Sequence, residues 1–236
     1  MSSAMRPLCF LGAETASAAC IFLHGLGDTA AGWEPVARML SKSFPHIRFI
    51  LPTAPSSPVT CNFGAVMPSW YDIVELGNRK VDASSAIKTV DALVAEQIEG
   101  GIPSERIVVG GFSQGGVVSL LTGLTSKRKL AGVIALSCYL AEVPRLEDSI
   151  TEAGRLMRVF QAHGDCDQVI PVEAGQSCKE FLEELGGKVE FHEYRNMGHS
   201  FCDRELSDLN DWLEGILPPQ QEKKQGEESA ARSSSS

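Results

Sequence analysis

A serine set between glycines, Gly111-Phe112-Ser113-Gln114-Gly115, is where this chain could do covalent chemistry. A serine hydroxyl becomes a useful nucleophile only when it is held clear of its surroundings beside a base that takes its proton. The flanking residues say how it is held. Ile107, Val108 and Val109 form an apolar β-branched run that predicts a strand buried on both faces, while Val117, Val118, Leu120, Leu121 and Leu124 predict a helix directly after it. So short a passage from strand to helix demands a sharp reversal at Ser113, and glycines on either side let the two elements close around it. This is the pattern of a nucleophile elbow. Gly-x-Ser-x-Gly alone arises by chance in roughly one chain in ten of this length, so its weight comes from the strand before and the helix after.

The base, the acid and the N–H donors that such a serine needs must come from other turns. Residues 189–194 read as a strand that empties into Arg195-Asn196-Met197-Gly198-His199-Ser200, which offers His199. Residues 159–162 read as a strand followed by His163-Gly164-Asp165-Cys166-Asp167, which offers Asp167, with Asp165 as a rival two positions away. After the apolar strand 18–23 comes His24-Gly25-Leu26-Gly27-Asp28, whose glycines would let the backbone N–H of Leu26 face a site. A lone histidine after a strand is more often a surface residue, and an aspartate in a turn more often a cap. Here each follows a strand, and the order is oxyanion loop, serine, acid, histidine, the chain order of α/β-hydrolases.

The elements that must position these residues alternate along the chain. Strands are expected at 18–23, 47–51, 107–109, 130–136, 159–162 and 189–194, with a short one possible at 8–11. Helices are expected at 33–40, 87–98, 117–124, about 172–185 and 206–216, the second stopped by Gly100-Gly101. Right-handed crossovers between such units build a largely parallel sheet with helices on both faces and the functional turns at its carboxyl edge. Two stretches lack periodicity. Residues 52–70, with prolines at 52, 55, 58 and 68, read as a long loop and a candidate wall of the substrate site; residues 141–155 read as a polar, irregular loop over the same edge.

Composition bounds the rest. With 236 residues and 43% hydrophobic content, the chain is expected to form one α/β domain over 1–217, followed by a disordered Gln/Glu/Lys/Ser-rich tail at 218–236. A net charge of −9 argues against nucleic acid as a partner, since phosphates attract basic surfaces. Residues 107–126 carry no charge, but their glycines, Ser113 and Gln114 argue against a transmembrane span, and the first residues lack the apolar run of a secretory signal. Seven cysteines without Cys-x-x-Cys spacing read as buried small hydrophobes in a reducing, cytoplasmic setting, with no zinc site.

The sequence resembles the acyl-protein thioesterase and lysophospholipase family of α/β-hydrolases from about Leu8 to Pro219. The resemblance is carried by Ile21-Phe-Leu-His-Gly-Leu-Gly-Asp28, Ala65-Val-Met-Pro-Ser-Trp-Tyr-Asp72, Gly110-Gly-Phe-Ser-Gln-Gly-Gly116, Leu136-Ser-Cys and His163-Gly-Asp-Cys-Asp167. It implies Ser113 as nucleophile, His199 as base, Asp167 as orienting acid, and the backbone N–H groups of Leu26 and Gln114 as oxyanion donors, without metal or organic cofactor. It also implies that the 52–70 loop, through Phe63, Met67 and Trp70, lines an acyl channel. The implied activity is hydrolysis of long-chain acyl thioesters on S-acylated proteins, with transient contact at a membrane surface. A lysophospholipase or general carboxylesterase is the alternative, and a non-catalytic binding module with the same fold is a third reading.

Overall fold

The computed structural model describes residues 8–11, 16–75 and 77–220. Of the expected tail, residues 218–220 lack regular structure, and 221–236 lie outside the described residues, as do residues 1–7, part of the stretch expected to lack the apolar run of a secretory signal. In chain order the first elements are β1 (Leu8–Leu11), β2 (Ala18–Leu23), α1 (Ala30–Ser43), β3 (Ile47–Leu51), β4 (Ser56–Val59), β5 (Ala65–Pro68) and α2 (Ser84–Glu99). Then follow β6 (Ile107–Phe112), α3 (Gln114–Thr125), β7 (Gly132–Leu136), α4 (Leu146–Ser149), α5 (Glu152–Arg155), β8 (Arg158–Gly164), α6 (Val172–Glu184), β9 (Lys188–Tyr194) and α7 (Asp203–Ile216).

Seven strands form one sheet in the order β1-β3-β2-β6-β7-β8-β9. Only β1 runs antiparallel to its neighbour; every other pair is parallel. The central strands are apolar throughout because both of their faces are covered. Successive residues face opposite sides of a strand, and the packing follows that period. Ala19, Ile21 and Leu23 of β2, with Ile107 and Val109 of β6, join α2, α3 and α6 in one core; Ala18, Cys20 and Phe22, with Val108, join α1 and α7 in the other. Each fully buried Ile, Leu or Phe in these layers contributes roughly 1.5–3 kcal/mol.

Strand register places the functional turns side by side. Leu23 pairs with Gly111, so the turn after β2 leaves the sheet next to the turn after β6. Gly164 pairs with Tyr194, so the turns after β8 and β9 also emerge together.

Three expectations need correction. The 52–70 segment contains the antiparallel hairpin β4–β5, closed by a 3-10 turn at Thr60–Asn62 with Phe63 and Gly64 at φ of 57° and 76°. Asp72 braces it, accepting from the Thr60 hydroxyl at 2.6 Å and the Thr60 N–H at 2.8 Å, which also holds its carboxyl below the usual range. The 141–155 segment holds the short helices α4 and α5, the latter capped by Thr151, whose hydroxyl accepts from Gly154 N–H at 2.9 Å. Cys20, Cys138 and Cys178 are buried, but Cys166 is exposed and Cys61 and Cys202 are partly so, because the turns that carry Cys61 and Cys166 and the start of α7 at Cys202 reach the surface.

Candidate active site

Ser113 stands between β6 and α3 with φ 53° and ψ −118°, a conformation that a non-glycine residue adopts only when its surroundings impose it. They do so through backbone contact. A Cβ on Gly115 would run into the carbonyls of Leu23 and His24, and one on Gly111 would strike the backbone of Gly115. Ser113 N–H donates to Leu136 O at 2.8 Å, and Ser113 O accepts from Val117 N–H at 3.1 Å as α3 begins. Behind it α3 is buried from Gln114 to Leu124, so the elbow rests on a rigid base.

The turn after β2 is pinned from three directions. Ala54 N–H donates to His24 Nε2 at 3.0 Å, which makes Nε2 an acceptor and leaves the proton on Nδ1 to reach Gly25 O at 2.7 Å. Burial holds the His24 pKa below the ordinary value against the pull of that bond, so the ring stays neutral. His24 O accepts from the Trp70 indole N–H at 2.9 Å, and Gly27 N–H donates to Pro68 O at 2.9 Å. Gln114 is fixed by its own side chain, which accepts from Trp70 N–H at 2.9 Å and donates to Tyr71 O at 2.7 Å and Ser69 Oγ at 3.1 Å. Leu26 and Gln114 are thereby brought to the same cavity as Ser113.

Asp167 and His199 meet across the β8 and β9 turns. Asp167 Oδ1 accepts from Val169 N–H at 2.8 Å and Ile170 N–H at 2.9 Å, and Oδ2 lies 2.7 Å from His199 Nδ1. The two turns are tied by Cys166 N–H donating to Met197 O at 3.0 Å. Asp165 is exposed, and its N–H is bonded to Tyr194 O, so Asp167 is the carboxylate that reaches the histidine. The His199 ring lies against Phe112, with centroids 4.8 Å apart, and it lines the cavity that holds Ser113.

That cavity has a volume of about 310 Å³ and is walled by Tyr71, Ile73, Tyr139, Val169 and Ile170, with Glu75 and Asn78 also reaching it. Two larger clefts, of about 570 and 1100 Å³, flank the 142–146 segment and contain none of these residues. Three residues expected to line an acyl channel are elsewhere. Trp70 is buried, its indole spent on the His24 carbonyl; Phe63 at the hairpin turn is fully exposed; Met67 lies beneath Gly27. The resemblance pointed to the loop and their aromatic and apolar types to these three residues, and neither signal says which way a loop residue faces. The wall residues Tyr71 and Ile73 follow immediately in the chain, two apart as an extended segment spaces residues on one side.

With this geometry in place, the chain can be set beside known proteins. Residues 10–217 match the phospholipase/carboxylesterase family. The chain is similar to acyl-protein thioesterase 1 of Mycosarcoma maydis, at 46% identity over 223 residues covering 86% of this chain and 93% of that protein. It is also similar to two crystal structures. That of SOBER1 from Arabidopsis thaliana superposes with a TM-score of 0.79 at 33% identity, covering 85% of this chain and 99% of the other. That of acyl-protein thioesterase 2 from Zea mays gives 0.78 at 26% identity, covering 90% and 99%.

Proposed function

The chain belongs to the phospholipase/carboxylesterase family of α/β-hydrolases, and from that membership we propose that it cleaves long-chain acyl thioesters, removing palmitoyl-type groups from S-acylated protein cysteines. One observation carries the mechanism: the 2.7 Å pairing of His199 Nδ1 with Asp167, at a cavity shared with Ser113. Asp167 keeps the His199 proton on Nδ1, which leaves Nε2 free to take the Ser113 proton as the hydroxyl oxygen attacks the acyl carbonyl. Negative charge gathers on that carbonyl oxygen, where the N–H groups of Leu26 and Gln114 receive it. The tetrahedral species collapses to an acyl-serine and expels the cysteine sulfur, which takes the proton held by His199 and leaves the imidazole neutral again. A thiol with a pKa near ~8.5 leaves readily, so the thioester asks less of His199 as an acid than an oxyester does. Water, deprotonated by His199, then attacks the acyl-serine and releases the fatty acid.

The apolar wall of Tyr71, Ile73, Val169 and Ile170 suits an alkyl chain, since each methylene removed from water is worth roughly 0.8 kcal/mol. Among the described residues no helix is long and apolar enough to cross a membrane. Transient contact with a membrane surface is instead assigned to the hairpin, where Phe63 and Val66 are the exposed apolar residues. Cys20, Cys61, Cys138, Cys166, Cys178 and Cys202 are free thiols, which suits a reducing compartment such as the cytoplasm.

The test is a comparison of a palmitoylated peptide with a lysophospholipid, using wild type and Ser113→Ala. Faster release from the peptide, abolished together with fluorophosphonate labelling in Ser113→Ala, is the expected result. Preference for the lysophospholipid would move the assignment to that substrate. Undiminished turnover by Ser113→Ala would remove the nucleophile.

A further inference from the structure

We propose that His163, at the end of β8, is a positioning residue for the acid of the triad, a neutral imidazole that locks the grip on Asp167. The inference rests on the triad described above and adds a member that acts through it. His163 is completely buried. Its Nε2 lies 2.8 Å from Ile170 O and 3.4 Å from Asp167 Oδ2. A carbonyl oxygen only accepts, so Nε2 carries the proton. That single N–H faces both the carbonyl and the carboxylate.

The other nitrogen fixes the charge state. Nδ1 is buried without a hydrogen-bond partner, and it faces Gly175 of α6 so closely that a Cβ there would come within 2.7 Å of it. A second proton on Nδ1 would be buried on an atom that has no hydrogen-bond partner. Burial keeps the His163 pKa below the ordinary value; His199 pushes it the same way, while the Ile170 carbonyl, Asp167 and Glu173 pull against them. The ring therefore remains neutral and remains a donor.

Ile170 shows what the donor accomplishes. Its N–H is one of the two backbone donors on Asp167 Oδ1, and its C=O is held by His163. One side chain thus clamps the residue that grips the carboxylate, and also lies close to the carboxylate oxygen that His199 uses. A histidine that merely filled the core would need only one of these acceptors. Without His163, Ile170 O loses its buried partner, the loop relaxes, and Asp167 no longer aims His199 correctly. A displacement of about 1 Å in such an arrangement costs up to roughly 100-fold in rate.

The test measures hydrolysis of a short soluble ester, together with the rate of fluorophosphonate labelling of Ser113, in wild type, His163→Leu, His163→Gln and Gly175→Ala, each checked for folding by thermal unfolding. His163→Leu is expected to lower kcat and the labelling rate roughly 10- to 100-fold at nearly constant KM. His163→Gln, whose amide N–H can reach the same acceptors, should recover most of the loss. Gly175→Ala keeps the donor but presses on the ring, so it should also lower kcat, and it decides the question if His163→Leu does not fold. Wild-type kcat in folded His163→Leu, an equal loss in the Gln and Leu variants, or a change confined to KM would each overturn the inference. A wild-type protein that is not labelled at all brings down the triad and this reading with it, whereas an active wild type with an indifferent His163→Leu removes only this reading.

Discussion

Asp165 and Asp167 differ by two positions in sequence and by everything that matters in space. Asp167 is buried with backbone donors on one oxygen and His199 on the other, whereas Asp165 is exposed. Asp167→Asn is therefore expected to reduce kcat on the order of 10⁴-fold, because an amide in that place stabilises the wrong histidine tautomer. Asp165→Asn should stay within a few-fold of wild type, as steady-state kinetics on one thioester would show; the opposite ranking would mean that Asp165 is the functional carboxylate. Ser113, His199 and this acidic turn were legible because glycines, strands and chain order constrain them locally. Trp70 was not, since its inward orientation depends on an indole bond to His24 O across the fold. His163 was hidden for the same reason, its acceptors being set by how the loop returns to the end of β8.

Among the elements, the long buried strands and amphipathic helices were readable from periods of two and 3.6 residues. The hairpin β4–β5 was not, because its strands are four residues each and interrupted by Pro58, which an edge strand tolerates. The helices α4 and α5, also four residues each, are too short to show a helical period. The hairpin and the wall behind it make separable predictions. Ile73→Asp puts a charge on the cavity wall, where a long acyl chain would have to desolvate it. Hydrolysis of a palmitoyl thioester should fall at least roughly tenfold, while that of an acetyl ester changes little. Phe63→Ser should leave turnover of both soluble substrates intact and weaken sedimentation with anionic lipid vesicles. Equal losses for long and short chains in Ile73→Asp would make Ile73 a structural residue, and unchanged vesicle binding by Phe63→Ser would clear the hairpin of any membrane role.

At the scale of the whole molecule, stability should respond to pH through Glu205, near the start of α7. Its carboxyl is fully buried, and neither oxygen completes a hydrogen bond; burial pushes its pKa up to about 8, although the nearby Cys202 N–H draws it partly back. A folded-state value above the unfolded value of ~4.3 means that the folded protein holds the proton more tightly. The stability this provides is fully present below the unfolded value and is lost as pH rises through about 8. Glu205→Gln should accordingly flatten the dependence of Tm on pH between about 5 and 8, and should exceed wild type in Tm at the upper end. Parallel Tm curves for the two proteins would show that Glu205 is ionised in the fold without penalty. The sheet order has another consequence, felt while the chain is being made. Pairing of Ala19 with Ile107 means that β2 gains its second neighbour only after roughly 90 further residues have been added. At ~5–20 residues per second that is on the order of 5–20 s. From the completion of β3 until β6 arrives, the apolar β2 is the open edge of a β1-β3-β2 fragment, the kind of edge that recruits strands from other chains. The arrival of β6 thus does two things at once: it brings the nucleophile, and it covers β2, passing the open edge on to β6 until β7 is made.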